Sequence, residues 1–212
     1  MFLAIFAFLA VITGGSLFYL YFHRIPQRIS PQNPNAILAP ADGKIWQILF
    51  LENKNEARIP KRFLGEIQTF LQDVENAGII LSIFMSPLDV HVNWSPVNGK
   101  ILKIQHTPGK FAFANTWSSF SNEKNEILIQ TDRYSLKMIQ IAGFLARRIE
   151  CWVKENQTIA IGEAIGMIRL GSQVSLVLPE SVTLKIKPGD KVKGGETILG
   201  FIEPPAKTGT NS

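Results

Sequence analysis

Pro40-Ala41-Asp42-Gly43-Lys44-Ile45 returns 56 residues later as Pro96-Val97-Asn98-Gly99-Lys100-Ile101. Asp-Gly and Asn-Gly are tight-turn dipeptides, so each copy reads as a turn that feeds directly into a β-strand. A second repeat is offset by 33: Asn156-Gln157-Thr158-Ile159 with Gly162-Glu163 reappears as Gly189-Asp190-Lys191-Val192 with Gly195-Glu196. The shared pattern describes a turn, a short strand, a glycine bend and a second strand. Two repeats of this kind predict a duplicated β architecture.

Outward from these repeats the chain continues as short apolar runs bounded by Gly and Pro. Strands are expected at Lys44–Leu51, Gly78–Met85, Lys100–Gln105, Glu126–Gln130, Ser135–Ile141, Ile149–Val153, Glu163–Leu170, Val174–Leu178 and Thr197–Ile202. One helical candidate stands among them, Lys61–Val74, where Phe63, Ile67, Phe70, Leu71 and Val74 fall at helical spacing; an irregular excursion is the alternative. The repeat unit resembles the half-barrel of biotinyl and lipoyl carriers and of barrel-sandwich hybrid domains. The expected fold is therefore mainly β, a duplicated barrel-sandwich-hybrid-like domain. An acyl-carrier role needs a lysine at an exposed hairpin tip with Met or small and acidic neighbours, and this chain has none.

The 212 residues are 46% hydrophobic and 18% charged, with a formal charge of +5. Such a composition excludes a disordered chain or a collagen-like repeat. One cysteine, Cys151, can make neither an intrachain disulfide nor a zinc site. The average conceals a division, because residues 1–22 hold no charged side chain and 18 of the 22 are hydrophobic. A run of about 20 apolar residues can cross the ~30 Å hydrocarbon core as a helix. No basic residue precedes it, and it ends in Phe18-Tyr19-Leu20-Tyr21-Phe22, which suits an interfacial aromatic belt better than a cleavage site. Gly14-Gly15-Ser16 could instead bend it into a re-entrant hairpin, so the segment is read as a transmembrane or membrane-embedded helix. Arg24 and Arg28 follow at once, which favours the cytoplasmic side. The expected organisation is an anchor at 1–24, a proline-rich linker at 25–36, a β domain at 37–205 and a tail at 206–212.

Three histidines are present. His23 reads as an interfacial residue, and His106, before Pro108-Gly109, as a surface one. His91 differs, because it lies in a polar cluster, Ser86-Pro87-Leu88-Asp89-Val90-His91-Val92-Asn93, directly after an apolar strand. No spacing of His, Cys and carboxylates matches a metal motif, and no Gly-rich loop opens a helix to hold phosphate. Arg147-Arg148 closes an apolar stretch; such a pair usually faces solvent, but it could also bind a phosphate bidentately. Gly171-Ser172 by itself reads as a turn between two strands.

Taken in order, these segments resemble phosphatidylserine decarboxylase proenzymes of the short, archaeal and bacterial type. Phe22-His23-Arg24-Ile25-Pro26-Gln27-Arg28 is a weakened form of that family's FFRDPxR stretch. Pro40-Ala41-Asp42-Gly43 matches PADG, and Ser82 through Asn93 matches the long central motif, which Pro96-Val97-Asn98-Gly99 continues. Asn125-Glu126, Gln140-Ile141-Ala142-Gly143, Ala146-Arg147-Arg148-Ile149 and Leu170-Gly171-Ser172 follow.

The resemblance implies a self-cleaving enzyme. The Ser172 hydroxyl would attack the Gly171 carbonyl, and elimination and hydrolysis would leave a pyruvoyl group made from Ser172. The products would be a β chain, 1–171, and an α chain, 172–212, joined as a heterodimer. His91 would be the base with Asp42 as its orienting partner, following the logic of a triad. The pyruvoyl carbonyl would then form a Schiff base with phosphatidylserine in the membrane and release carbon dioxide and phosphatidylethanolamine. His91 would reprotonate the product, and Arg147 and Arg148 would be candidates for the substrate phosphate. Neither a metal nor a nucleic-acid partner is implied, and the expected location is the cell membrane with the catalytic domain on its cytoplasmic face. The sequence departs from the pattern at His23 and Ile25, at Gln173 after the cleaved serine, and at Trp94, where longer members carry a second histidine. Two other functions remain open at this point, a membrane-anchored barrel-sandwich-hybrid adaptor and a non-catalytic lipid-binding homologue.

Overall fold

A computed structural model describes residues 2–51, 56–60, 66–108, 123–143, 148–169 and 172–202. The chain opens with a helix, α1 (Phe2–Phe22), and continues as strands: β1 (Ala36–Leu38), β2 (Gly43–Phe50), β3 (Glu56–Pro60), β4 (Glu66–Phe70) and β5 (Ala77–Met85). Next come β6 (Val92–Trp94), β7 (Gly99–Thr107), β8 (Lys124–Gln130), β9 (Ser135–Ile141), β10 (Arg148–Cys151) and β11 (Thr158–Ile159). The last are β12 (Ala164–Arg169), β13 (Ser172–Pro179), β14 (Val182–Leu184), β15 (Lys191–Val192) and β16 (Ile198–Ile202). The protein is mainly β with one apolar helix, as the sequence predicts.

Eight strands form the principal sheet in the order β11-β7-β8-β9-β13-β5-β2-β15, with antiparallel neighbours throughout. Two three-stranded sheets, β1-β16-β14 and β10-β12-β6, and a hairpin, β3-β4, complete the described residues. The central strands are apolar on both faces because both are covered. Along β5, Ile79, Leu81, Ile83 and Met85 point into the main core, while Ile80 points to a second core with Ile59, Leu71 and Val74. The same two-residue period sorts β13, whose Val174, Leu176 and Leu178 face the main core and Val177 the second.

The sequence repeats become repeats of contact. Lys44 pairs with Lys191 and Gly43 with Val192; in the other copies Lys100 pairs with Thr158 and Gly99 with Ile159. Ile45 N–H donates to the Asp190 carbonyl at 2.8 Å, as Ile101 does to Gln157 at 2.9 Å. The bends agree as well: Gly162 and Gly195 have φ of 75° and 74°, a left-handed conformation that favours glycine. Asp42 and Asn98 occupy equivalent turns, and each side chain accepts a backbone N–H at 2.8 Å, from Gly194 and Ile161 respectively.

Three local expectations change. The helical spacing at Lys61–Val74 does not produce a helix in the described part of that segment: residues 66–70 are β4, paired with β3 from Glu56↔Phe70 to Pro60↔Glu66. A hairpin partner outweighs an ambiguous apolar period in so short a stretch. Residues 25–36 are also less of a free linker than their prolines indicate, since Arg28 is salt-bridged into the domain and Ala36 begins β1. The helix α1 runs unbroken through Gly14-Gly15, so no hairpin forms there.

Gly43 opens β2 with φ of 146°, and a Cβ there would collide with the Phe84 carbonyl oxygen. Gly43→Ala is expected to cost roughly 2–4 kcal/mol, combining backbone strain with overpacking. Thermal unfolding of the detergent-solubilised protein measures it, and an unchanged midpoint would refute this account of the turn.

Candidate active site

The site grows from the end of β5. Beyond Met85 the chain turns sharply: Asp89 N–H donates to the Ser86 carbonyl at 3.0 Å, and the Asp89 carboxylate accepts the Ser86 N–H at 2.7 Å. This self-capped turn delivers His91, which is fully buried. The His91 backbone carbonyl accepts the Ile168 N–H at 3.1 Å, so the residue is pinned to β12, the strand that precedes Ser172 in the chain.

The tautomer of His91 follows from its partner. Nδ1 lies 2.9 Å from the Asp89 carbonyl oxygen, which can only accept, so Nδ1 carries the proton. Nε2 is then left with its lone pair, and it is buried with no hydrogen-bond partner among the described residues. Burial pushes the imidazole below its ordinary value of 6.5; the carbonyl and charge of Asp89 oppose this, and Arg24 and His23 add to it. A neutral, buried imidazole with a bare Nε2 is a base waiting for a proton.

Ser172 is the first residue of β13 and is nearly fully buried. Its register partner is Met85, and its hydroxyl donates to the Met85 sulfur at 3.1 Å. A thioether is a weak acceptor, so this hydroxyl is not committed to a strong hydrogen bond. Three buried amides line up behind the same sulfur. Asn125 donates to Gln140 at 2.8 Å, Gln140 donates to Asn93 at 2.9 Å, and the Asn93 amide nitrogen lies 4.0 Å from Met85 Sδ. Gln173, the next residue, is buried on the opposite face of β13 and donates to Ser175 Oγ at 3.2 Å.

Asp42 is placed differently from the sequence expectation. Arg28 donates to both of its carboxylate oxygens at 2.8 Å, and Gly194 N–H adds a third bond at 2.8 Å. The orienting contact on His91 Nδ1 comes instead from the Asp89 main-chain carbonyl. No hydrogen bond joins the expected His91–Asp42 pair among the described residues: Asp42 sits in an Asx-type turn whose counterpart, Asn98, makes the same backbone bond. Arg28 also lies 4.8 Å over the Trp94 ring, at the position where longer relatives have a second histidine. Removing Arg28 would leave a mostly buried carboxylate without its cation. Arg28→Ala is therefore expected to lower stability by roughly 2–4 kcal/mol. Thermal unfolding checks it; a loss below 0.5 kcal/mol, at the level of about one exposed pair, would contradict the pairing.

Residues 16–200 of this chain match a family model described as phosphatidylserine decarboxylase. It is similar to a "Phosphatidylserine decarboxylase proenzyme" of Pelodictyon phaeoclathratiforme, 41% identical over 184 residues, covering 86% of this chain and 78% of that protein. A protein of the same name from Desulfotalea psychrophila is 41% identical over 192 residues, 89% of this chain and 81% of its own length. A "Putative archaetidylserine decarboxylase proenzyme" of Methanothermobacter thermautotrophicus is 42% identical over 193 residues, 90% and 83% of the two chains.

This chain belongs to the phosphatidylserine decarboxylase family.

The membership makes it a decarboxylase, as the ordered motifs predict, and sets aside the adaptor reading. Within a phosphatidylserine decarboxylase, the placement of the remaining residues gains meaning. Arg148 opens β10, exposed, and pairs in register with Arg169 of β12. Arg147, Leu170 and Gly171 lie outside the described residues. Arg169 was not singled out from sequence; it donates to Glu150 at 2.5 Å, and its buried Nε has no partner among the described residues. The only sequence signal for it was its place three residues before Ser172. The sheet β10-β12-β6 thereby brings Arg148, Arg169 and the end of the His91 segment to one end, and β12 is the strand that precedes Ser172 in the chain. His106, expected at the surface, is half exposed and 2.9 Å from Glu123.

Proposed function

We propose that this protein matures by breaking its own Gly171–Ser172 bond and then decarboxylates phosphatidylserine at the membrane surface. The observation that carries the proposal is a pair of uncommitted reactive atoms: His91 Nε2, on the segment that follows β5, has no partner among the described residues, and Ser172 Oγ, at the start of β13 opposite the last residue of β5, is held among them by a thioether alone. His91 takes the Ser172 hydroxyl proton, and Oγ bonds to the Gly171 carbonyl carbon. The Gly171–Ser172 C–N bond then breaks as the nitrogen is protonated, leaving an ester. Loss of the Ser172 α-proton expels the Gly171 carboxylate, and water releases ammonia from the resulting dehydroalanine. The chain now ends at Gly171, and residue 172 begins the second chain with a blocked terminus.

The surroundings of residue 172 fit a pyruvoyl group: it is a buried strand terminus, faced by the Asn93 and Gln140 amides behind Met85. When formed, that group supplies the electron sink that loss of carbon dioxide requires. His91 holds the proton that the product carbon must receive. Arg147 and Arg148 are proposed to meet the substrate phosphate, a role that Arg148 can fill from the exposed start of β10. Asp42 is proposed to steady the His91 side of the site indirectly, through Arg28 and Trp94, which packs with Phe22, Val90 and Val92.

Both chains remain together in this proposal. β13, the first strand of the 172–212 chain, lies between β9 and β5 of the other chain and shares hydrogen bonds with both. β14, β15 and β16 are woven into the same sheets, so the α and β chains form a heterodimer that peptide cleavage does not dissolve. The pattern of paired repeats supports an internally duplicated, barrel-sandwich-hybrid type of domain. α1 is 21 residues long, about 32 Å at helical rise, with mean hydropathy of 2.1. It is proposed to cross the cell membrane and to hold the domain at the headgroup layer, with Arg24 keeping it on the cytoplasmic face.

Mass spectrometry of the purified protein tests the proposal. Two chains divided after Gly171, the smaller one resistant to amino-terminal sequencing, are expected; a single intact chain would overturn it.

A further inference from the structure

The last turn of α1 is joined to the histidine turn more firmly than a tether needs to be. Phe22, 3% exposed, lays its ring against the His91 imidazole with centroids 4.2 Å apart and planes tilted by 36°. Around this contact, Tyr21 Oη donates to the Leu88 carbonyl at 3.0 Å, and Arg24 donates to the same oxygen at 3.1 Å. Arg24 is itself bonded to the Tyr21 carbonyl at 2.6 Å and lies 3.7 Å over the Tyr21 ring. The rest of α1 makes no such commitment, since Phe22 is its one buried residue among those described. A flexible linker would hold the domain at a bilayer equally well; these contacts instead make the helix end and the 86–91 turn one unit.

We propose that Phe22 is a positioning residue for His91, so that the end of the membrane helix forms one wall of the active site. The proposal rests on the role given to His91 above. The phenyl ring fixes the imidazole plane, which keeps Nδ1–H on the Asp89 carbonyl and aims the bare Nε2 consistently. It also covers one face of the imidazole, keeping water away and the ring neutral. Among the described residues, the charged and titratable groups around His91 are Asp89 on its own turn and His23 and Arg24 on the helix exit; Asp89 favours the protonated ring, and Arg24 and His23 oppose it. Burial is the largest influence, and Phe22 supplies part of it. Truncating Phe22 is thus expected to move His91 upward, toward 6.5.

The test uses full-length Ser172→Ala protein in detergent micelles, with histidine titrations and tautomers read by nitrogen NMR. Phe22→Leu keeps apolar volume without the ring, Phe22→Ala removes both, and Phe22→Tyr keeps the ring. The Leu and Ala variants are expected to raise the His91 midpoint and mix its tautomers, while Tyr preserves both. In chains that retain Ser172, the Leu variant is expected to slow cleavage by roughly tenfold to a hundredfold, the scale of a misplaced catalytic group. The acid limb of its pH profile should move to higher pH, whereas Phe8→Ala, on the exposed part of the same helix, leaves both unchanged. A His91 midpoint and tautomer in Phe22→Leu identical to the parent would overturn the proposal. The titration is read in an uncleaved protein, so it decides the role of Phe22 whether or not the wild-type chain matures.

Discussion

A Ser172→Ala protein is expected to purify as one intact chain and to show no turnover, with a fold indistinguishable from the wild type. The expectation rests on what the hydroxyl does in the structure. It is buried and, among the described residues, bonds only to Met85 Sδ, a weak acceptor, so removing it leaves no strong donor or acceptor there unsatisfied. The stability change should stay within about 1 kcal/mol, the usual worth of one hydrogen bond. Chain cleavage, by contrast, loses its nucleophile altogether. A denaturing gel and a thermal melt read the two quantities separately. If Ser172→Ala still divides after Gly171, the nucleophile lies elsewhere or a protease is responsible.

Replacing His91 by Gln should slow chain cleavage by about 10²–10⁴-fold, the range for loss of a positioned general base. The pH dependence carries a definite sign. Burial holds the folded imidazole below 6.5, so the neutral form that can accept the Ser172 proton dominates at neutral pH. Cleavage by the wild type should be flat through neutrality and fall as pH drops through the lowered folded value. Stability should follow in the same direction. The unfolded chain binds more protons than the folded one once pH falls below 6.5, so the folded state loses stability from there down to the lowered value. In the Ser172→Ala background the His91→Gln change removes this contribution. Equal acid sensitivity with and without His91 would show that its burial does not couple to folding.

Much of this protein is legible from composition and local pattern. The expected strand Gly78–Met85 is β5, Ser135–Ile141 is β9 as expected, and Val174–Leu178 is the middle of β13, because buried Ile- and Val-rich runs have few alternatives to a sheet. The paired repeats also predict which turns feed which strands. β4 was not legible: its apolar spacing suits a helix, and only the presence of β3 as a partner makes it a strand. The chemistry divides similarly. His91 and Ser172 stand out because few residue types can act as base and nucleophile, and this chain has only three histidines to choose from. The group that orients His91 left no trace in the side-chain pattern, because it is the main-chain carbonyl of Asp89.

The amino-acid sequence by itself determined the apolar N-terminal segment, the mainly β character, the repeats, the family and the two residues proposed to carry the chemistry. Only the tertiary structure decided that Asp42 is held by Arg28 and Gly194, that Met85 is the neighbour of Ser172, and that Phe22 covers His91. The physical reason is the range of the interactions. Hydropathy, turn chemistry and residue reactivity are properties of a residue and its near neighbours. Which side chain receives a given proton donor, and which imidazole nitrogen is left bare, depends on segments far apart in the chain arriving at one place.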